Sequence, residues 1–192
     1  MPWITESGSL DRATLRQQLL EARERFVASP SGPAAHLALG QRLKSVLEAL
    51  EPQVLGLYWP VRSEFNARVA WGDDMSVLAD GLALPFARRH PPTMSYRRWD
   101  GHSDPAVRDE CGIPSTEGGQ VVPDVVLVPC VGYTREGYRL GYGGGYFDRW
   151  LAAHPGVTSV GVAWQGSEVR LTPEAHDQPL TLIVTEDEVM AP

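Results

Sequence analysis

Short runs of consecutive apolar residues alternate along this chain with stripes at helical spacing, and that alternation restricts the folds open to it more than any other feature. The segments 54–58, 82–86, 125–131, 157–164 and 180–184 are apolar without a polar alternate face, the pattern of strands covered on both sides. Between them lie helical patterns. Over residues 11–26, Leu15, Leu19, Ala22 and Phe26 fall on one stripe; over 34–50, Leu39, Leu43, Val46, Leu47 and Leu50 do the same, after a Pro/Ser/Gly break at 29–33. A weaker helix is expected over 67–79, interrupted by Gly72. Strands separated by helices predict an α/β chain with a mostly parallel sheet in a three-layer α/β/α arrangement, and 192 residues suit one domain spanning 1–192. Residues 87–122, rich in Pro, Arg, His and Gly, are expected to wrap the surface with little regular structure.

Composition excludes several classes of function. A net charge of −7 argues against nucleic-acid or acidic-membrane partners, which want a basic excess. No stretch approaches the roughly 18 apolar residues of a membrane span, and the first residues carry no basic region followed by an apolar run. A cytoplasmic monomer is the expectation. Cys111 and Cys130 stand far apart with no C-x-x-C, so they are expected to be reduced, buried thiols rather than a zinc site or a disulfide. His36, His90, His102 and His154 show no metal-ligand spacing and are expected to face solvent.

The residues that carry chemistry cluster at 139–149, Arg-Leu-Gly-Tyr-Gly-Gly-Gly-Tyr-Phe-Asp-Arg. Gly141, Gly143, Gly144 and Gly145 lack a β-carbon, so their N–H groups can turn toward an anion, and the residues from Phe147 read as a helix opening whose dipole favours the same anion. Asp148, facing solvent, would lie within reach of a cation bound to it. A dinucleotide fingerprint lacks its third glycine here, and a P-loop lacks its lysine. Without further information the segment also suits a plain strand-to-helix turn in which Asp148 only complements the dipole. Arg12, Arg16 and Arg23 align beside the apolar stripe of the first helix, as a solvated rim or as a cationic edge.

The whole stretch Pro129-Cys-Val-Gly-Tyr-Thr-Arg-Glu-Gly-Tyr-Arg-Leu-Gly-Tyr-Gly-Gly-Gly-Tyr-Phe-Asp-Arg149 resembles the signature of the 5-formyltetrahydrofolate cyclo-ligases, also called methenyltetrahydrofolate synthetases. The resemblance continues in order along nearly the whole chain. Its further points are Arg12-x-x-Leu15-Arg16, Tyr58-x-Pro60-x-x-x-Glu64, Leu84-Pro85, Gly112-Ile113-Pro114, Pro123-Asp124, Gly161-Val-Ala163, His176-Asp177 and Val184-Thr185-Glu186.

That family resemblance implies an ATP-dependent closure of 5-formyltetrahydrofolate to 5,10-methenyltetrahydrofolate, with Mg²⁺ as cofactor and a reduced folate and ATP as the small-molecule partners. It implies ATP contacts from Arg12, Arg16, Arg139, Gly141, Tyr142, Gly143, Gly144, Gly145 and Tyr146, and metal ligation by Asp148 and Asp177. It also implies catalytic roles for Arg139 and Asp148 and a substrate wall of Trp59, Glu64, Tyr142 and Tyr146. His176 is given a loop role. Three positions depart from the family pattern: Ser115-Thr116 replaces Glu-Pro, Thr134 replaces an aspartate, and Ser167 replaces a glutamine. These positions are expected at the folate end or its supporting shell. They leave room for a non-catalytic folate-binding or regulatory relative, or an ATP-dependent enzyme acting on a different small acid.

Overall fold

The first helix starts where its cap dictates. Asp11 stays extended and its Oδ1 accepts the N–H groups of Ala13 and Thr14 at 2.9 and 3.0 Å, satisfying two of the donors that a helix start leaves open. In this computed structural model, which describes residues 1–5, 8 and 10–192, α1 then runs Arg12–Val27. Leu15, Leu19, Leu20 and Ala22 are buried on its inner face. A break at Ser29–Ser31 leads into α2, Gly32–Leu50, with Pro33 in the first turn, where its missing N–H is not needed. Leu39, Leu43 and Leu47 of α2, four residues apart, are fully inaccessible to solvent, each burial worth about 1.5–3 kcal/mol. α2 ends at Glu51, which adopts a left-handed conformation.

The strands follow as β1 Val54–Gly56, β2 Gly81–Arg89, β3 Pro92–Trp99, β4 Val107–Arg108, β5 Pro114–Ser115, β6 Gln120–Val121 and β7 Val125–Pro129. After them come β8 Gly132–Tyr133, β9 Arg139–Leu140, β10 Thr158–Val162, β11 Leu182–Val184 and β12 Val189–Met190. Two further helices, α3 Ala67–Trp71 and α4 Tyr146–Ala153, lie between β1 and β2 and between β9 and β10. The helix expected over 67–79 stops as an α-helix at Trp71, since Gly72 takes a positive φ, and continues as a 3₁₀ turn over Gly72–Val77.

Eight strands form the main sheet in the order β12-β11-β10-β7-β1-β2-β3-β6. The central pairs β11-β10, β10-β7, β7-β1 and β1-β2 are parallel, and the pairs at both edges are antiparallel. Alternation along the strands divides the core. Leu55, Leu82, Leu84, Leu127, Val160 and Val162 face α2 and α3, whereas Ala83, Val126, Val128 and Ile183 face Trp150 and Leu151 of α4. The α/β/α expectation holds for α2, α3 and α4. α1 packs instead with Val131, Leu140 and Val169, alongside the small β8–β9 hairpin.

Two expectations are corrected here. Residues 87–122 are not irregular: β2 and β3 form a long antiparallel hairpin, register Leu82↔Trp99 to Arg89↔Pro92. Arginines hid it in the sequence. Arg97 lays its guanidinium 3.5 Å from the Phe86 ring centroid, so a charged residue covers apolar surface, while Tyr96 and Trp99 point inward. His36 and His154 are also half-buried rather than solvent-facing. His36 stacks on Phe65 at 4.7 Å and its Nε2 accepts the Asn66 N–H; His154 stacks on Trp150 at 4.2 Å.

Candidate active site

β1 and β7 lie side by side, yet the chain leaves them toward opposite edges of the sheet, through α3 on one face and α4 on the other. Such a point opens a crevice at the carboxyl ends of the strands. Here a cleft of about 810 Å³ occupies it. Its walls include Tyr58 to Glu64 after β1, the bend 139–149, and residues 174–177 beside α1. All thirteen residues singled out from the sequence, from Arg12 to Asp177, line this one cleft.

The glycine-rich bend leaves β9 and turns into α4. Gly143 and Gly145 have φ of 94° and 62°, a region that a side chain would strain, and among the described residues no side chain caps the α4 start. The bend is held by arginines. Arg16 Nε donates to the Gly141 carbonyl at 2.6 Å, and Arg149 donates to the Gly144 carbonyl at 2.6 Å and to Pro92 O at 3.1 Å. Burial, with neighbouring Arg12, lowers the Arg16 pKa, a bias that an anion in the cleft would reverse.

Arg139 is 6% exposed and donates to Asp148 Oδ2 at 2.9 Å. Among the described residues its buried Nε has no partner. Asp148 does not face solvent as expected: it sits in the first turn of α4, largely covered, with Oδ1 accepting the Gln178 N–H at 3.5 Å. Arg12 is likewise engaged. It forms a short ion pair with Asp177, a second pair with Glu174 at 3.1 Å, and a hydrogen bond to Thr172 O at 3.0 Å. Burial works to raise the Asp177 carboxyl, but the Arg12 guanidinium and the Glu174 N–H outweigh it and hold the group below its ordinary value.

The opposite wall is aromatic and acidic. Trp59 meets Trp99 edge-on at 6.2 Å and carries Arg68 over its ring. Glu64 is buried and accepts the Val61 N–H at 2.7 Å; burial pushes its carboxyl above the usual range, opposed by that N–H, by Arg23 and by Tyr142. Tyr146 crosses between the walls, with its hydroxyl 3.3 Å from Cys111 Sγ and Arg149 over its ring. Cys111 is thus a half-exposed part of the cleft, not a buried thiol, while Cys130 is buried; both are free.

Several lining residues carried no usable sequence signal. Asp109 is buried and accepts the N–H groups of Cys111, Ile113 and Ala87, shaping the Gly112-Ile113-Pro114 turn into the wall. Arg23, read only as part of a stripe, lies behind the cleft lining and is the most deeply buried of the α1 arginines. The three departures from the family pattern do not line the cleft. Ser115 Oγ donates to Pro85 O at 2.7 Å, Ser167 Oγ donates to Trp164 O at 2.7 Å, and Thr134 closes a turn with Tyr138 and Gly137.

A glycine-walled crevice edged by arginines, at the switch point of a mostly parallel sheet, defines an α/β enzyme scaffold suited to anionic ligands. The 5-formyltetrahydrofolate cyclo-ligase family model matches residues 9–186, and the chain belongs to that family of enzymes. A 5-formyltetrahydrofolate cyclo-ligase of Haemophilus influenzae is 25% identical over 182 residues, 88% of this chain and 94% of that protein. A 5,10-methenyltetrahydrofolate synthetase structure from Aquifex aeolicus superposes with a TM-score of 0.72 at 30% identity, covering 94% of this chain and 92% of that one. The 5,10-methenyltetrahydrofolate synthetase from Mycoplasma pneumoniae shares the fold, with a TM-score of 0.75 at 20% identity over 92% of this chain and 99% of its own.

Proposed function

We propose that the cleft binds ATP and 5-formyltetrahydrofolate together and closes the folate to 5,10-methenyltetrahydrofolate, releasing ADP and phosphate. The observation that carries this reading is the convergence of residues from 12 to 177 on one crevice with two chemically distinct walls. The arginine and glycine wall suits a triphosphate; the Trp59 and Glu64 wall suits a flat heterocycle with ring N–H donors.

The formyl oxygen is a very poor leaving group until it is phosphorylated. Transfer of the γ-phosphoryl group to that oxygen makes an N5-iminium phosphate and frees ADP. N10 then bonds to the activated carbon and loses its proton, and the C–O bond breaks with its electrons leaving on phosphate. The protein aligns the reactants and neutralises charge. Arg139, with its unsatisfied Nε, and the amides of the bend hold the phosphates; Arg12 and Arg16 reach them from α1.

Asp148 and Asp177 fit Mg²⁺. They are hard oxygen donors on one wall, joined by the Gln178 N–H on Asp148, and Mg²⁺ needs only one or two carboxylates when phosphates supply the rest. Among the described residues no group of three or more His, Cys, Asp or Glu side chains is placed to hold an ion, so the cation would enter with the nucleotide. When bound, it neutralises charge on the transferring phosphoryl group. Arg12 and Arg139 hold these carboxylates in the meantime.

Among the described residues no helix is long and apolar enough to cross a membrane. Ser115, Thr134 and Ser167 lie outside the cleft lining, with Ser115 behind it through its bond to the lining residue Pro85, so they alter no direct contact. The test is the absorbance of methenyl product after adding ATP, magnesium and 5-formyltetrahydrofolate. Product formation dependent on all three is expected. Folate binding without ATP consumption, or ATP turnover only with another acid, would overturn the reading.

A further inference from the structure

Arg23 is unlike the other cations of α1. It is 1% exposed, and its contacts run to both walls of the cleft at once. Its Nε donates to Ser63 Oγ at 3.1 Å, one residue before Glu64 in the segment after β1. Its Nη2 donates to the Tyr142 hydroxyl at 2.6 Å, inside the glycine-rich bend, and its guanidinium carbon lies 5.8 Å from that ring's centroid. Both hydrogen-bond partners are neutral hydroxyls. Its counter-charge is the nearby Glu64 carboxyl, so the fork is compensated from the folate wall while its hydrogen bonds go to the two hydroxyls. A planar fork fixes the relative position of two groups better than any single donor.

We propose that Arg23 is a positioning residue that couples the two halves of the cleft: by tying Ser63 and Tyr142 to one buried fork, it makes occupancy of the folate wall and of the phosphate bend mutually reinforcing. This rests on the reading above that Glu64 faces the folate and the bend faces the nucleotide. A ligand that draws in the segment around Glu64 moves Ser63, and Arg23 passes that shift to Tyr142. Linkage makes the effect reciprocal.

The test measures coupling rather than activity. Calorimetry gives the Kd of a non-hydrolysable ATP analogue with magnesium, alone and with saturating 5-formyltetrahydrofolate, and the ratio of the two is the readout. In the wild type the ratio is expected at about fivefold or more, the usual lower bound for linked sites. Tyr142→Phe and Arg23→Lys should each bring it close to one, and the double variant should lower it no further. A purely structural Arg23 would weaken binding or lower the melting temperature while leaving the ratio intact. Tyr142 also meets Glu64 directly, so Ser63→Ala, which removes the other hydroxyl and leaves that contact in place, decides the matter even where Arg23→Lys fails to fold: its ratio should also approach one, and an undiminished ratio overturns the coupling. A ratio near one in the wild type, or an undiminished ratio in folded Tyr142→Phe, overturns the coupling. A wild type that binds neither ligand overturns the functional reading instead.

Discussion

Asp148→Asn should cost both turnover and stability, and the stability loss follows from the geometry. Asp148 Oδ2 receives Arg139 Nη2 at 2.9 Å, with side-chain exposures of 13% and 5%. Removing one member of a buried ion pair strands the other charge, at about 3–5 kcal/mol. Asparagine keeps an oxygen acceptor, and Asp148 retains some solvent contact, so about 2–3 kcal/mol is expected for this change. For a domain of this size each kcal/mol shifts the midpoint by about 2–4 °C, which predicts a drop of about 4–12 °C. Arg139→Met should destabilise as well, and Asp148→Asn/Arg139→Met should be less unstable than the sum of the two, by about 2 kcal/mol. Thermal and urea unfolding of the four proteins measure this cycle. Additive effects, or an Asp148→Asn midpoint within about 1 °C of wild type, would refute the claim that this pair is a buried, mutually dependent unit. Turnover should be assayed well below the lowest midpoint, so that its loss reports the site and not the fold.

Glu64→Gln should flatten the acid limb of kcat/KM for the folate. Burial raises the Glu64 carboxyl, so its contribution to stability is present at low pH and is lost as pH rises through the raised value; folate recognition by the carboxylate runs the other way and fades as pH falls. An unchanged pH profile would remove Glu64 from substrate recognition. Arg16→Met should raise KM for ATP about tenfold or more with little change for folate, since a charged hydrogen bond from Arg16 to a phosphate is worth about 1.5–3 kcal/mol. Ser115→Ala should lower stability by about 1 kcal/mol, because Pro85 O loses a buried partner, and should leave substrate choice as it was. A changed folate preference in that variant would place Ser115 in the site after all.

The parallel centre of the sheet was legible because β1 and β7 are apolar on both faces and β10 carries Val160 and Val162 on one, and α1 because Asp11 and the Leu15–Leu19 stripe mark its start and inner side. The β2–β3 hairpin was not, since Arg97 lays its guanidinium over Phe86 and reads in sequence as a loop charge. For the cleft, the residue types were visible and their mutual engagement was not. That Asp148 answers Arg139 follows from how α4 docks, and that Asp177 answers Arg12 from a contact across 165 positions. Nor does spacing show that Arg23 points inward while Arg12 and Arg16 stay partly open, because a helical stripe gives direction to within a turn and not depth.

The pairing of Arg12 with Asp177 sets a rule about time. A chain emerging from the ribosome can complete α1, the first strands and even the glycine-rich bend while Arg12 still lacks its counter-charge, so the crevice closes only after residue 177 has emerged and swung back across the nascent molecule. A protease cut near Thr172 would then sever the chain beside the contacts that hold Asp177 against Arg12. A ligand bound across the crevice mouth should slow the nick.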